Sequence, residues 1–98
     1  VYVANWPAVR SNAWKSLLKA RAIENMSYVV GVNRTGQDAN EIKYNGNSRV
    51  YDFKGERMDD FMENMPRVQI NNLDKNELDS FRNKFPVLKD ADDFNLLI

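Results

Sequence analysis

The segment Ser27-Tyr-Val-Val-Gly-Val-Asn33 is a nearly continuous apolar run between polar flanks. A strand that wets one face alternates apolar and polar residues; a run without alternation is the pattern of a strand covered on both faces. A chain carrying such a strand must place layers on both sides of a sheet. Val1 to Asn5 supplies another short apolar strand, closed by Trp6-Pro7 because proline lacks the backbone donor a ladder needs. Ser11 or Asn12 is placed to cap a helix that runs to about Met26.

Downstream, residues 34–47 are polar and rich in Gly, Asn and Asp, and read as a loop with Asn45-Gly46 as its turn signal. Ser48 to Asp52 reads as a strand, followed by a tight turn over Asp52-Phe-Lys-Gly55 with glycine at the left-handed position. Glu56 to Phe61 returns as a strand or irregular segment, and Pro66 to Asn71 as a strand with Val68 and Ile70 on one face. Asn72 or Asp74 caps a second helix over about 75–83, with Leu78, Phe81 and Arg82 at helical spacing. From Phe85 the chain is expected to extend to Leu96-Leu97-Ile98.

At about 100° per residue, Ala13, Trp14, Leu17 and Leu18 share one face of the first helix, and Asn12, Lys15, Ser16 and Lys19 the other. Arg21, Glu24 and Asn25 fall with the apolar set. Arg21 and Glu24, three apart, can pair. On a buried face, losing one partner would cost about 3–5 kcal/mol. The group reads as a network tying the helix to its surroundings, or as a shell orienting catalytic groups.

Composition narrows the function. The 98 residues make one domain or part of one. Acids and bases balance at 14 each, which argues against a nucleic-acid domain built on Arg34, Lys43, Arg49, Tyr44 and Tyr51. No apolar run approaches the ~20 residues of a membrane span, and no leader or lipidation motif is present, so a cytoplasmic protein is expected. There is no cysteine and no histidine, so thiol nucleophiles, thiolate metal sites and imidazole bases are all excluded. No spacing suggests a Ser–Lys dyad. Asp90, Asp92 and Asp93 lack the order and glycine of an EF-hand and read as a solvated tail, so no metal is expected.

Several motifs in order carry a resemblance. They are Val1-Tyr-Val-Ala-Asn5-Trp6-Pro7 with Arg10; Ala20-Arg21-Ala22-Ile23-Glu24-Asn25; Tyr28-Val-Val-Gly-Val-Asn33 with Gly36; Tyr44-Asn-Gly46-Asn-Ser48 leading to Asp52-Phe-Lys-Gly55-Glu56; and Phe81-Arg82 with Lys84-Phe85-Pro86-Val87-Leu88-Lys89-Asp90. Together they resemble the C-terminal part of a carbon–nitrogen hydrolase of the nitrilase superfamily, and are most similar to its omega-amidase branch. The resemblance implies a mixed α/β fold, a partial α-β-β-α sandwich. It makes residues 1–98 the C-terminal portion of a single domain whose N-terminal half is absent.

It also implies a Glu-Lys-Cys mechanism through a cysteine thioester, with no metal or organic cofactor. The substrate would be a small carboxylic acid amide, a 2-oxo acid omega-amide. In the family all three catalytic residues precede the strand that opens this chain, so no catalytic residue is assigned here. Asn5, Trp6, Pro7 and Arg10 are expected to form a substrate-binding wall at the strand end, with Arg10 available to a substrate carboxylate. A core or interface aromatic and a surface or helix-start arginine are the alternatives for Trp6 and Arg10. Arg21, Glu24, Asn25 and Asn33 are assigned to a structural network, Asn33 bonding backbone at a strand end. A homo-oligomer through helix and sheet-edge contacts is expected.

Val1 begins inside a strand and is not methionine, which predicts a piece of a longer amidase that is inactive alone. The competing reading is a non-catalytic binding module on the same scaffold.

Overall fold

The computed structural model describes residues 1–98. Strand β1 (Tyr2–Ala4) leads through a 3-10 turn (Ala8–Arg10) into helix α1 (Ser11–Glu24), and the chain returns as β2 (Val29–Asn33). Strands β3 (Thr35–Gln37), β4 (Lys43–Asn45) and β5 (Arg49–Tyr51) follow, then helix α2 (Lys75–Lys84) and a 3-10 turn (Val87–Asp90). The main sheet has the order β1-β2-β5, with β1 parallel and β5 antiparallel to β2. Strands β3 and β4 form a separate antiparallel hairpin. No helix is long and apolar enough to cross a membrane.

One helix covers one face of this sheet. Trp14, Leu18 and Ala22 of α1 pack on Val29 and Tyr51, with Ala4 and Trp6 at the edge. The approach is close because Gly31 has no side chain. A Cβ there would lie 2.4 Å from Leu18 Cδ1 and 2.9 Å from Trp14 Cζ2. Strand β1 docks beside β2 in register, Tyr2 opposite Gly31 and Ala4 opposite Asn33.

Three expectations change at this level. Strand β2 does alternate: Val29 and Gly31 are buried under α1 and Asn33 is buried at the strand end, whereas Val30 is half-buried and Val32 exposed on the far face. The apolar run marks two apolar faces, only one of which this chain covers. On α1 the buried stripe is Trp14, Leu18 and Ala22. Residues four apart drift about 40° round the axis per step, since 3.6 complete a turn. The contact line therefore swings away from Leu17 and Arg21, and Arg21, Glu24 and Asn25 are exposed rather than buried. The cap of α1 is neither Ser11 nor Asn12: Arg10 holds the cap position without a side-chain bond, and Ser11 is the first helical residue.

Elsewhere, residues 35–45 hold a hairpin where a loop was expected, and residues 66–71 hold no strand. From Glu56 to Phe61 only Arg57 bridges, to Tyr51. Asp74, one of the two expected caps, accepts from Glu77 N at 3.0 Å. Gly55 takes φ +82° and its N–H closes the turn on the Asp52 carbonyl, as the sequence predicts.

Candidate functional site

The carboxyl ends of the parallel strands β1 and β2 lie side by side, and one side chain joins them. Asn33 Oδ1 accepts from Trp6 N–H at 2.7 Å, and its Nδ2 donates to the Trp6 carbonyl at 3.0 Å. The same Nδ2 donates to the Gly46 carbonyl at 2.8 Å, where the β3–β4 hairpin ends. The backbone of Asn33 is held by Ser48, whose Oγ accepts from Asn33 N at 3.0 Å and donates to its carbonyl at 3.3 Å.

Beyond that clamp, the Trp6 ring stacks on Trp14 with centroids 5.6 Å apart, and its Nε1 donates to the Arg10 carbonyl at 2.7 Å. The Arg10 guanidinium lies over the Trp6 ring, 4.8 Å from its centroid, a cation–π contact. Pro7 opens the 3-10 turn by accepting from Arg10 N. Asn5 and Arg10 are exposed, whereas Trp6 and Pro7 are half-buried. The structure thus brings Trp6, Pro7, Arg10 and Asn33 into one assembly, with Asn5 at its open edge. An amide, an indole and a guanidinium can bind and orient a ligand; none is a nucleophile.

Arg21, Glu24 and Asn25 do not join it. Arg21 pairs with Glu24 on the exposed side of α1, and Asn25 Nδ2 donates to the Arg21 carbonyl. Arg21 lies seven residues beyond Trp14, about 10 Å along the helix axis.

A second polar cluster escaped the sequence reading. Asn47, at φ +56°, accepts from Trp14 Nε1 through its carbonyl at 2.7 Å. Its Nδ2 reaches Ser11 Oγ, and its Oδ1 accepts from Arg49 Nη2 at 2.9 Å. Arg49 is buried and lies 4.0 Å from the carboxylate of Asp59, whose side chain is fully buried. Asp59 accepts from Val50 N at 2.7 Å, Phe61 N at 3.0 Å and Arg57 Nη2 at 2.6 Å. Burial pushes the Asp59 carboxyl up, but the bonds from Arg57 and the two backbone N–H groups outweigh it and hold it below its ordinary value. The same contact raises Arg57. The only sequence signal for this cluster is Arg57-x-Asp59 beside an otherwise apolar strand.

On the far face of the sheet this cluster supports the wall of an open cavity of about 470 Å³, with Val30, Val32 and Val50 as floor and Phe61, Met62 and Met65 on its sides. Asn33 borders the cavity; Asn5, Trp6, Pro7 and Arg10 do not.

Comparison with known proteins places this arrangement. Residues 2–83 match the family model described as carbon-nitrogen hydrolase. The chain is 46% identical over 96 residues to the omega-amidase YafV of Escherichia coli K12, covering 98% of this chain and 38% of that protein. It is 41% identical over 92 residues to the 2-oxoglutaramate amidase of Paenarthrobacter nicotinovorans, covering 92% of this chain and 30% of that protein. Among solved structures it superposes on XC1258 of Xanthomonas campestris, a CN-hydrolase superfamily protein with an arsenic adduct in its active site. That match has a TM-score of 0.88 and 39% identity, over 98% of this chain and 37% of the other. The chain thus spans less than two-fifths of the length of these relatives. With a family match over most of its length and a fold shared at that level, the chain belongs to the carbon–nitrogen hydrolase family.

Proposed function

We propose that this chain forms the C-terminal part of an amidase. The complete protein would hydrolyse the terminal amide of a small 2-oxo acid monoamide through a cysteine thioester formed outside these 98 residues. The observation that carries the reading is the likeness to omega-amidase and 2-oxoglutaramate amidase along nearly the whole chain. The assembly at the end of β1 is compatible with a binding role. Asn5 offers an amide to a polar substrate, Trp6 an aromatic wall, and Arg10 a positive charge with no carboxylate partner of its own.

In this reading a general base activates the thiol, which attacks the amide carbon; ammonia leaves, and water cleaves the thioester. This chain contributes no reacting atom. It holds the non-reacting end of the substrate. The far face of the sheet, with its aliphatic floor, is the packing surface for the rest of an α-β-β-α sandwich rather than a substrate pocket.

The test is ammonia release from a 2-oxo dicarboxylic acid monoamide. The complete protein should turn over this substrate, and the 98-residue chain alone should not. Turnover by the isolated chain, or a complete protein that ignores such monoamides while hydrolysing unrelated amides, would overturn the proposal.

A further inference from the structure

Asn33 makes more contacts than a strand end requires. A parallel ladder between β1 and β2 ends at Ala4 opposite Asn33. Past that point the side-chain amide of Asn33 takes over as a surrogate peptide. It satisfies both the N–H and the C=O of Trp6, at 2.7 and 3.0 Å, and spends its second N–H on Gly46 at 2.8 Å. The side chain is buried, and only an amide fits: an acceptor must face the Trp6 N–H, and two donors must face two carbonyls. One side chain therefore fixes the peptide plane on both sides of the Trp6 α-carbon. Trp6 is turned to Trp14, and its neighbour Asn5 is exposed at the strand end.

We propose that Asn33 is a positioning residue for the substrate-binding wall, setting the direction in which Asn5, Trp6 and Arg10 are presented. This rests on the reading that the wall contacts substrate. Asn33 touches no substrate in this scheme; it acts through the Trp6 peptide.

The experiment uses the complete amidase carrying this chain, with Asn33→Ala and Asn33→Asp. Losing the clamp frees the wall from its bound-state direction, so KM for the monoamide should rise about tenfold, about 1.4 kcal/mol, with kcat nearly unchanged. A residue that merely supports folding would lower the amount of active enzyme and leave KM alone. Asn33→Asp adds a test by pH. Ionised, it sets an oxygen against two carbonyls and should behave like the alanine variant. Protonated, its O–H can donate to the Trp6 carbonyl while its other oxygen accepts from Trp6 N–H. No titratable side chain bonds this group. The ratio of its KM to the parent's should therefore fall toward one as pH is lowered, while the alanine ratio stays flat.

Should the alanine variant not fold, the recovery of the aspartate variant decides. Unchanged KM in both variants, or an aspartate ratio indifferent to pH, would overturn the proposal. Amide exchange at Trp6 needs no substrate: it should accelerate in Asn33→Ala, which removes the acceptor of the Trp6 N–H, and full protection there would overturn the clamp. A complete protein releasing ammonia from no monoamide counts against the amidase reading instead, and the exchange result still judges the clamp.

Discussion

Asp59 shows how a single residue can organise a segment. Its buried carboxylate gathers Arg57, two backbone N–H groups and, at 4.0 Å, Arg49. Removing it leaves Arg49 buried beside an empty site and two backbone donors unpaired. Asp59→Ala should cost about 3 kcal/mol, the low end for a broken buried pair, because the partly exposed Arg57 can turn to water. Denaturant midpoints measure this directly. Asp59→Asn, which keeps one acceptor, should lose less. The folded-state pKa is depressed, so this contribution is fully present above the ordinary carboxylate value near 3.9 and is lost as pH falls through the folded value. Between pH 5 and 7 Asp59 should contribute no pH dependence, and the difference between wild type and Asp59→Asn should narrow only below about pH 4. A constant difference down to pH 2 would sink this account.

Among the elements, α1 and β2 were legible because each carries a dense apolar stripe, and Gly55 because its turn needs a left-handed residue. The β3–β4 hairpin was not. Thr35-Gly36-Gln37 carries no large apolar residue, and the three residues Lys43-Tyr44-Asn45 are too few to show a period. The hairpin is held by Asp38, which accepts from Asn40 N and Ile42 N and from the Tyr44 hydroxyl at 2.9 Å. The Ile42 N–H bond is the largest influence, and Asp38 lies below its ordinary pKa. Asp38→Ala should therefore speed amide exchange at Asn40 and Ile42 while leaving β2 protected. Residues 66–71 err the other way. Val68 and Ile70 alternate like a strand, yet they are 92% and 90% exposed, since alternation without a partner ladder makes no sheet. In the candidate site, the strand end at Trp6 was readable from its motif. The Asn47–Arg49–Asp59 cluster was not, because nothing in the sequence says that these polar side chains turn inward and are buried together. The Arg21–Glu24 pair lies on the exposed side of α1. Arg21→Ala should then change stability by under about 0.5 kcal/mol, not the several expected of a buried pair.

At the scale of the whole molecule, the chain is a plate. Its extents are 46 × 41 × 16 Å, and its radius of gyration of 16.3 Å exceeds the roughly 13 Å typical of a compact chain of this length. One face of the sheet carries α1; the other leaves Val3 and Val32 in solvent, and the strand edge leaves Val1. Exposed aliphatic surface of this kind drives association. The isolated 98-residue chain should therefore self-associate in sedimentation experiments as its concentration rises; a stable monomer at high concentration would contradict this.

The thinness of the plate also reaches its thermodynamics. The heat capacity of unfolding follows the apolar area that folding had hidden. Only 15 of 98 residues are buried here, so little such area is released. A compact domain of about 100 residues shows roughly 1.2–1.5 kcal/mol/K; this chain, measured by calorimetry under conditions that keep it monomeric, should fall clearly below that range. Its stability curve would then be shallow, varying little between cold and warm and lacking a sharp optimum.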